Sequence, residues 1–452
     1  MNNAELKEFT SLQHKSIDPN FVHETLKKYM LVDGFDIVLD LQKSHGVYLV
    51  DEKTNDEYLD FFSFFASSPL GMNHPKLQGN DFKEKLLTAA LNKPSNSDIY
   101  STFMAEFVET FATIAKPDHF KYLFFVDGGT LAVENGLKVA FDWKVQKNFK
   151  KGHTKEVGHK VLHFKEAFHG RSGYTLSLTN TDPNKINYFP KFDWPRISNP
   201  KIIFPLEEHL AEVIKSEETA LAQINQAIKE NPDDIAVIIL EPIQGEGGDN
   251  FFRKEFFLKL RQIADEHDIL LMFDEVQTGM GMTGKMWASE YYVLPDIISF
   301  GKKAQVCGIM VSDRIDDVAE HCFRKSSRIN STWGSNLPDM VRSTRMLEVM
   351  QEDNLLAHVQ ETGDYLLNQL NILQLEYPTI IEHARGLGLM CAFDFKSAET
   401  RNQYVKECFN NKLIQLGCGS KTVRFRTPII ISQDEIDKGL KIIRNVLNSL
   451  RK

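Results

Sequence analysis

Short, largely apolar runs recur through the middle of the chain, at residues 122–126, 160–164, 235–240, 269–273 and 297–300. They lack the in-and-out alternation of a half-exposed strand, which predicts strands buried on both faces of a mostly parallel sheet. Helical stretches and turn residues separate them, so helices are expected over both faces. Ahead of this region, residues 47–50 and 58–61 alternate around the polar turn 51–56 and predict a hairpin. Beyond about residue 330 the pattern changes to amphipathic helices at 340–351 and 355–373, with a last helix at 433–450. The segments 386–394 and 423–425 are assigned to a smaller α+β unit. The expected architecture is α/β: an amino-terminal segment 1–65, a large domain 66–328 and a carboxy-terminal small domain 329–452 that shares its unit with the first segment.

At 452 residues the chain exceeds what one compact core usually holds. A net charge of −9, with no basic run, argues against nucleic-acid binding. Five scattered cysteines without a Cys-x-x-Cys pair read as reduced thiols, not as a disulfide or zinc framework. The start, Met1-Asn2-Asn3-Ala4-Glu5-Leu6-Lys7-Glu8, lacks the basic-then-apolar layout of a signal peptide, and no run is long enough to span a membrane. A cytoplasmic protein is expected. The cluster Phe61-Phe62-Ser63-Phe64-Phe65 reads either as core or as an interface between chains.

The candidate chemistry lies where the apolar runs end. One run ends in Asp274-Glu275-Val276-Gln277-Thr278-Gly279, and the next, Asp296-Ile297-Ile298-Ser299-Phe300, ends in Gly301-Lys302. Carboxyl ends of parallel strands line the crevice where ligands bind. An amine and a carboxylate delivered there are what pyridoxal phosphate chemistry requires: the amine forms the Schiff base, and the carboxylate keeps the pyridine nitrogen protonated. Gly128-Gly129-Thr130 opens a helix after a strand, which suits a phosphate but equally an ordinary turn. In Phe168-His169-Gly170-Arg171 the ring suits stacking on a flat cofactor, and Arg171 reads as a carboxylate clamp or a solvated loop residue. His169 reads as structural, having no partner histidine at metal-binding spacing. After the run at 235–240, Glu241-Pro242-Ile243-Gln244-Gly245-Glu246-Gly247-Gly248 is either a glycine-rich loop or a source of a carboxylate aimed at the site. Arg424, between Val423 and Phe425, needs an anionic partner or ligand if buried.

This set, in this order, resembles the class III aminotransferases of the fold-type I pyridoxal phosphate enzymes. The likeness runs from Ser44-His45-Gly46-Val47-Tyr48-Leu49 and Leu70-Gly71-Met72-Asn73-His74-Pro75 to Arg424-Phe425-Arg426. Gly128-Gly129-Thr130-Leu131-Ala132-Val133-Glu134-Asn135, Phe300-Gly301-Lys302-Lys303-Ala304-Gln305-Val306-Cys307-Gly308 and Asn330-Ser331-Thr332-Trp333-Gly334 are similar to the branch that transfers the ε-amine of lysine. The chain departs from the commoner family pattern at Met282, where many members have arginine, and at Thr427, where proline is usual.

The resemblance implies pyridoxal 5′-phosphate as cofactor and L-lysine and 2-oxoglutarate as substrates, with 4-aminobutyrate or ornithine transamination, or a same-fold aminomutase, as alternatives. By the same resemblance Lys302, not its neighbour Lys303, is the Schiff-base lysine, and Asp274 pairs with the pyridine nitrogen. Gln277 sits near the ring hydroxyl, Phe168 stacks on the ring, and Gly129 and Thr130 bind the phosphate. Thr332 reaches that phosphate from the partner subunit of a homodimer. Arg171 holds the far carboxylate of either substrate, while Glu246 covers Arg424 when lysine is bound and swings away for the oxo acid.

Overall fold

The computed structural model describes residues 16–451, so the leader reading at the first residues lies outside the described part. The expected hairpin is formed by β1 (Tyr48–Val50) and β2 (Glu57–Asp60), paired antiparallel with Tyr48 opposite Leu59. The central sheet comprises β3 (Phe120–Val126), β4 (Lys160–Phe164), β5 (Arg196–Ile197), β6 (Ile235–Leu240), β7 (Leu270–Asp274), β8 (Ile297–Phe300) and β9 (Cys307–Ser312). Its seven strands are ordered β3-β9-β8-β7-β6-β4-β5. The pairs from β5 to β8 are parallel. β9, which the apolar pattern did not single out, runs antiparallel to both β8 and β3.

Every residue of β6 is buried, and its side chains divide between two layers. Ile238 and Leu240 join one core with Leu271, Phe273, Ile298 and Phe300. Val237 and Ile239 join the other, with Leu270, Met272, Ile297 and the helix residues Val133, Leu137 and Ala140. That division is the period-two geometry of a strand covered on both faces, and it explains why the sequence shows no alternation there. The covering helix Gly129–Lys150 lies close against the sheet at Gly136, where a Cβ would stand 2.5 Å from Met272 Cε. It begins at Gly129, within the Gly128-Gly129-Thr130 turn.

The carboxy-terminal part holds β10 (Ile381–Leu387), β11 (Met390–Phe395), β12 (Leu413–Ile414), β13 (Leu416–Cys418) and β14 (Thr422–Phe425). The stretch 386–394 therefore holds the end of β10, a tight turn at residues 388–389 and most of β11, the turn made possible by Gly388 at a φ of +56°. β12 pairs in parallel with β2, which ties the amino-terminal hairpin to the carboxy-terminal unit. The helices Leu337–Glu352, Leu355–Glu376 and Gln433–Leu450 fall where the amphipathic pattern predicts them, the first two extended by up to three residues at an end. Among the described residues no helix is long and apolar enough to cross a membrane.

Candidate active site

Strand register brings the chemistry together. Leu240 lies opposite Phe273, and Asp274 opposite Ser299. The carboxyl ends of β6, β7 and β8 are thus level, and Glu241, Asp274 and Lys302 emerge at one place. They line a cavity of about 300 Å³ together with Gly129, Thr130, Phe168, His169, Glu246, Gln277 and Cys307.

Lys302 follows β8 in a left-handed conformation, with a φ of +49°. Burial pushes its amine down to about 8; Arg424 adds to that, and Asp274 and Glu241 oppose it. A substantial neutral fraction near physiological pH is what a nucleophilic amine needs. The neighbouring Lys303 does not line the cavity. Its Nζ donates to Gln277 O at 2.6 Å and Ala66 O at 3.3 Å, so its role is to tie two loops together.

Asp274 is almost fully buried, and His169 Nδ1 lies 2.8 Å from its Oδ2. Against a carboxylate that nitrogen is the donor, so the ring holds the carboxylate in place. The Val276 N–H donates to Asp274 Oδ1 at 3.1 Å. His169 is structural, as expected, but its structural task is to orient an acid in the site. Burial pushes the neighbouring Glu241 up to about 7, with Asp274 adding to it against the pull of His169. Glu241 accepts from the Phe168 N–H at 2.9 Å and the Gly245 N–H at 3.0 Å, so it ties down the loops that border the cavity it lines.

Gly128, at a φ of +97°, turns β3 into the helix that follows, and no side chain caps that helix. Its first N–H groups are left for a ligand at the positive end of the helix dipole. Gly170 lets the Phe168 loop approach, because a Cβ there would collide with the Thr130 hydroxyl.

The glycine-rich loop after β6 brings Glu246 to the cavity. Its Oε2 lies 3.0 Å from Arg424 Nη1, with the Arg424 side chain 3% exposed. The approach is not aligned as a hydrogen bond, and Arg424 Nε and Nη1 have no hydrogen-bond partner among the described residues. The guanidinium therefore keeps capacity for another anion. Gln277 accepts from Arg426 Nε at 3.1 Å and Nη2 at 2.9 Å, and Arg426 also pairs with buried Asp249. Lys185, which lies 2.5 Å from Glu246, carries no motif signal, and Arg426 enters the likeness only as the end of its last segment; their contacts reveal their roles. Three expected residues are not among those that line this cavity: Arg424, which pairs with the lining Glu246, and Arg171 and Thr332, which are exposed, the first one position beyond Gly170 and the second on its own loop. Arg171 and Thr332 make no ion pair or side-chain hydrogen bond among the described residues.

A family model, aminotransferase class III, matches residues 29–447. The chain belongs to the class III aminotransferases. It is 50% identical over 439 residues to the L-lysine-epsilon aminotransferase of Mycobacterium tuberculosis, covering 97% of each chain. It is 47% identical to that of Streptomyces clavuligerus, covering 95% of this chain and 94% of the other. The solved structure of lysine aminotransferase from M. tuberculosis in the internal aldimine form matches with a TM-score of 0.94 and 50% identity, covering 96% of this chain and all of that one. As a class III member the protein is a pyridoxal-phosphate-dependent aminotransferase of the fold described above.

The cavity suits that cofactor. The uncapped helix start fits a phosphate, the oriented Asp274 fits a protonated ring nitrogen, and Lys302 offers the amine.

Proposed function

We propose that the protein transfers the ε-amino group of L-lysine to 2-oxoglutarate, giving 2-aminoadipate 6-semialdehyde and L-glutamate in a ping-pong cycle. When bound, pyridoxal phosphate supplies an aldehyde to capture the amine and a ring to take up electrons. Lys302 Nζ is the attachment point. Once displaced by the incoming amine, it takes a proton from Cε of lysine in one half-reaction and returns one to Cα of glutamate in the other. Asp274, held by His169, keeps the ring nitrogen protonated. Gly129 and Thr130 hold the phosphate, Phe168 covers the ring face, and Gln277, fixed by Arg426, stands by the ring hydroxyl.

The observation that carries the reading is the Glu246–Arg424 pair. Lysine reacting through its ε-amine presents only methylenes near the reacting carbon, and a bare guanidinium there would be left desolvated and unmatched. Glu246 matches it. An oxo acid brings its own α-carboxylate, for which Arg424 has donors to spare. Arg171 takes the far carboxylate of each substrate. The lysine preference within this class is supported by the two relatives above and by the segments around Gly129 and Thr332.

The exposure of Thr332 supports an enzyme that works as a homodimer, with this hydroxyl completing the partner's phosphate site. Five free cysteines agree with a cytoplasmic setting.

Visible spectra of the loaded enzyme test the substrate. L-Lysine should bleach the cofactor band, and 2-oxoglutarate should restore it. Faster bleaching by 4-aminobutyrate or ornithine would reassign the amine donor, and turnover without any oxo acid would make the protein an aminomutase. Sedimentation of a monomer in fully active enzyme would remove the dimer.

A further inference from the structure

Glu246 stands in the wall between two cavities. One holds Lys302 and Asp274; the other, about 400 Å³, is lined by Asp182, Lys185, Arg401, Gly417 and Gly419 as well as Glu246. The carboxylate is shared across that wall: Oε2 faces Arg424 at 3.0 Å, and Oε1 lies 2.5 Å from Lys185 Nζ. Lys185 belongs to the single turn Pro183–Ile186, fixed where Asp182 Oδ1 accepts from the Asn184 N–H at 2.9 Å. Its ammonium lies 5.5 Å from the centre of the Phe168 ring.

The backbone of Glu246 is tied to its surroundings. The Gly419 N–H donates to Glu246 O at 2.9 Å, and a Cβ at Gly247 would collide with the carbonyl of Glu166. A side-chain rotation toward the second cavity is the departure from Arg424 that leaves these contacts intact. Arg401 there is occupied by the carbonyls of Cys418 at 3.3 Å and Thr422 at 3.1 Å and by Asn402 at 2.8 Å. Lys185 already holds the carboxylate.

We infer that Lys185 is the positioning residue that receives Glu246 when a substrate carboxylate claims Arg424, so that the displaced glutamate stays paired. The inference rests on the Glu246–Arg424 exchange proposed above and adds its second station. Without Lys185, Glu246 has no charged partner among the described residues except Arg424 and competes there with the oxo acid. The lysine half-reaction, in which Glu246 remains on Arg424, needs Lys185 less.

Rapid-mixing spectra of both half-reactions on the loaded enzyme decide the matter. Lys185→Met should shift the ratio of the two rates at subsaturating substrate against 2-oxoglutarate by roughly tenfold, the size of one lost charge-assisted hydrogen bond. Lys185→Arg should restore the ratio, and in a Glu246→Ala background Lys185→Met should leave the ratio as it finds it. Equal slowing of both halves by Lys185→Met overturns the inference, as does a tenfold shift that persists without Glu246, which would mean that Lys185 binds substrate directly. Glu246→Ala alone reads the parent exchange. If it moves the ratio and Lys185→Met does not, only the role of Lys185 falls; if it leaves the ratio unchanged, both fall.

Discussion

Removing Glu246 strips the carboxylate that faces Arg424. Opposite charges 3.0 Å apart attract by about 5 kcal/mol at an effective dielectric near 20. The net effect is smaller, because Glu246 is about a quarter exposed, itself loses hydration, and divides its charge between Arg424 and Lys185. Burial pushes its carboxyl upward, yet Arg424 and Lys185 together hold it below the ordinary glutamate range, so it is anionic at neutral pH. In Glu246→Ala the cost of an unmatched guanidinium beside lysine methylenes is about 1–3 kcal/mol, or roughly 5- to 150-fold in rate. With glutamate as donor the substrate's own carboxylate fills the gap, and the loss should be several times smaller. Stopped-flow bleaching by L-lysine and by L-glutamate in the same variant gives both numbers. Equal slowing with the two donors would refute the reasoning and reduce Glu246 to a support for its loop.

Lys302→Ala should lose turnover while staying folded, and borohydride reduction of the parent enzyme should fix the cofactor on the peptide at Lys302; a label on Lys303 would contradict the contacts that tie that residue to Gln277 and Ala66. Asp274→Ala should lose most activity even when loaded, and near-normal turnover would mean that another group sets the ring's protonation. Because burial lowers the Lys302 amine to about 8, it is mostly charged below that pH and mostly neutral above it, so loading of the stripped enzyme should speed up about tenfold per pH unit toward 8 and then level off; a rate still climbing at pH 10 would show an ordinary exposed amine. Gly363→Ala should lower the thermal midpoint, reflecting about 1–3 kcal/mol of overpacking where the new Cβ meets the backbone of Gly388, with the ratio of half-reaction rates preserved.

The buried strands β6, β7 and β8 were legible because a strand covered on both faces must be apolar throughout, and that requirement is written residue by residue. Their order along the chain also placed Asp274 and Lys302 at strand ends, so the site's two principal groups could be named before any coordinates. The helix Gln433–Leu450 was equally local, with its amphipathic stripe and a Ser432/Glu435 capping box at its start. β9 escaped because its direction is set by pairing, with β8 just before it and with β3 far away in sequence, and nothing within Cys307–Ser312 encodes antiparallel. The same holds within the site. Which of two adjacent lysines enters the cavity depends on a left-handed turn and on carbonyls from residues 66 and 277. His169 acquires its task from a carboxylate 105 positions away, Gln277 is anchored by an arginine 149 positions away, and Glu246 meets Lys185 from 61 positions away. Hydrophobic periodicity is a property of neighbours in the chain, whereas a hydrogen bond or ion pair depends on distance in space. The sequence by itself determined the layers and the reactive residue types; only the folded chain decided which charge each of them meets.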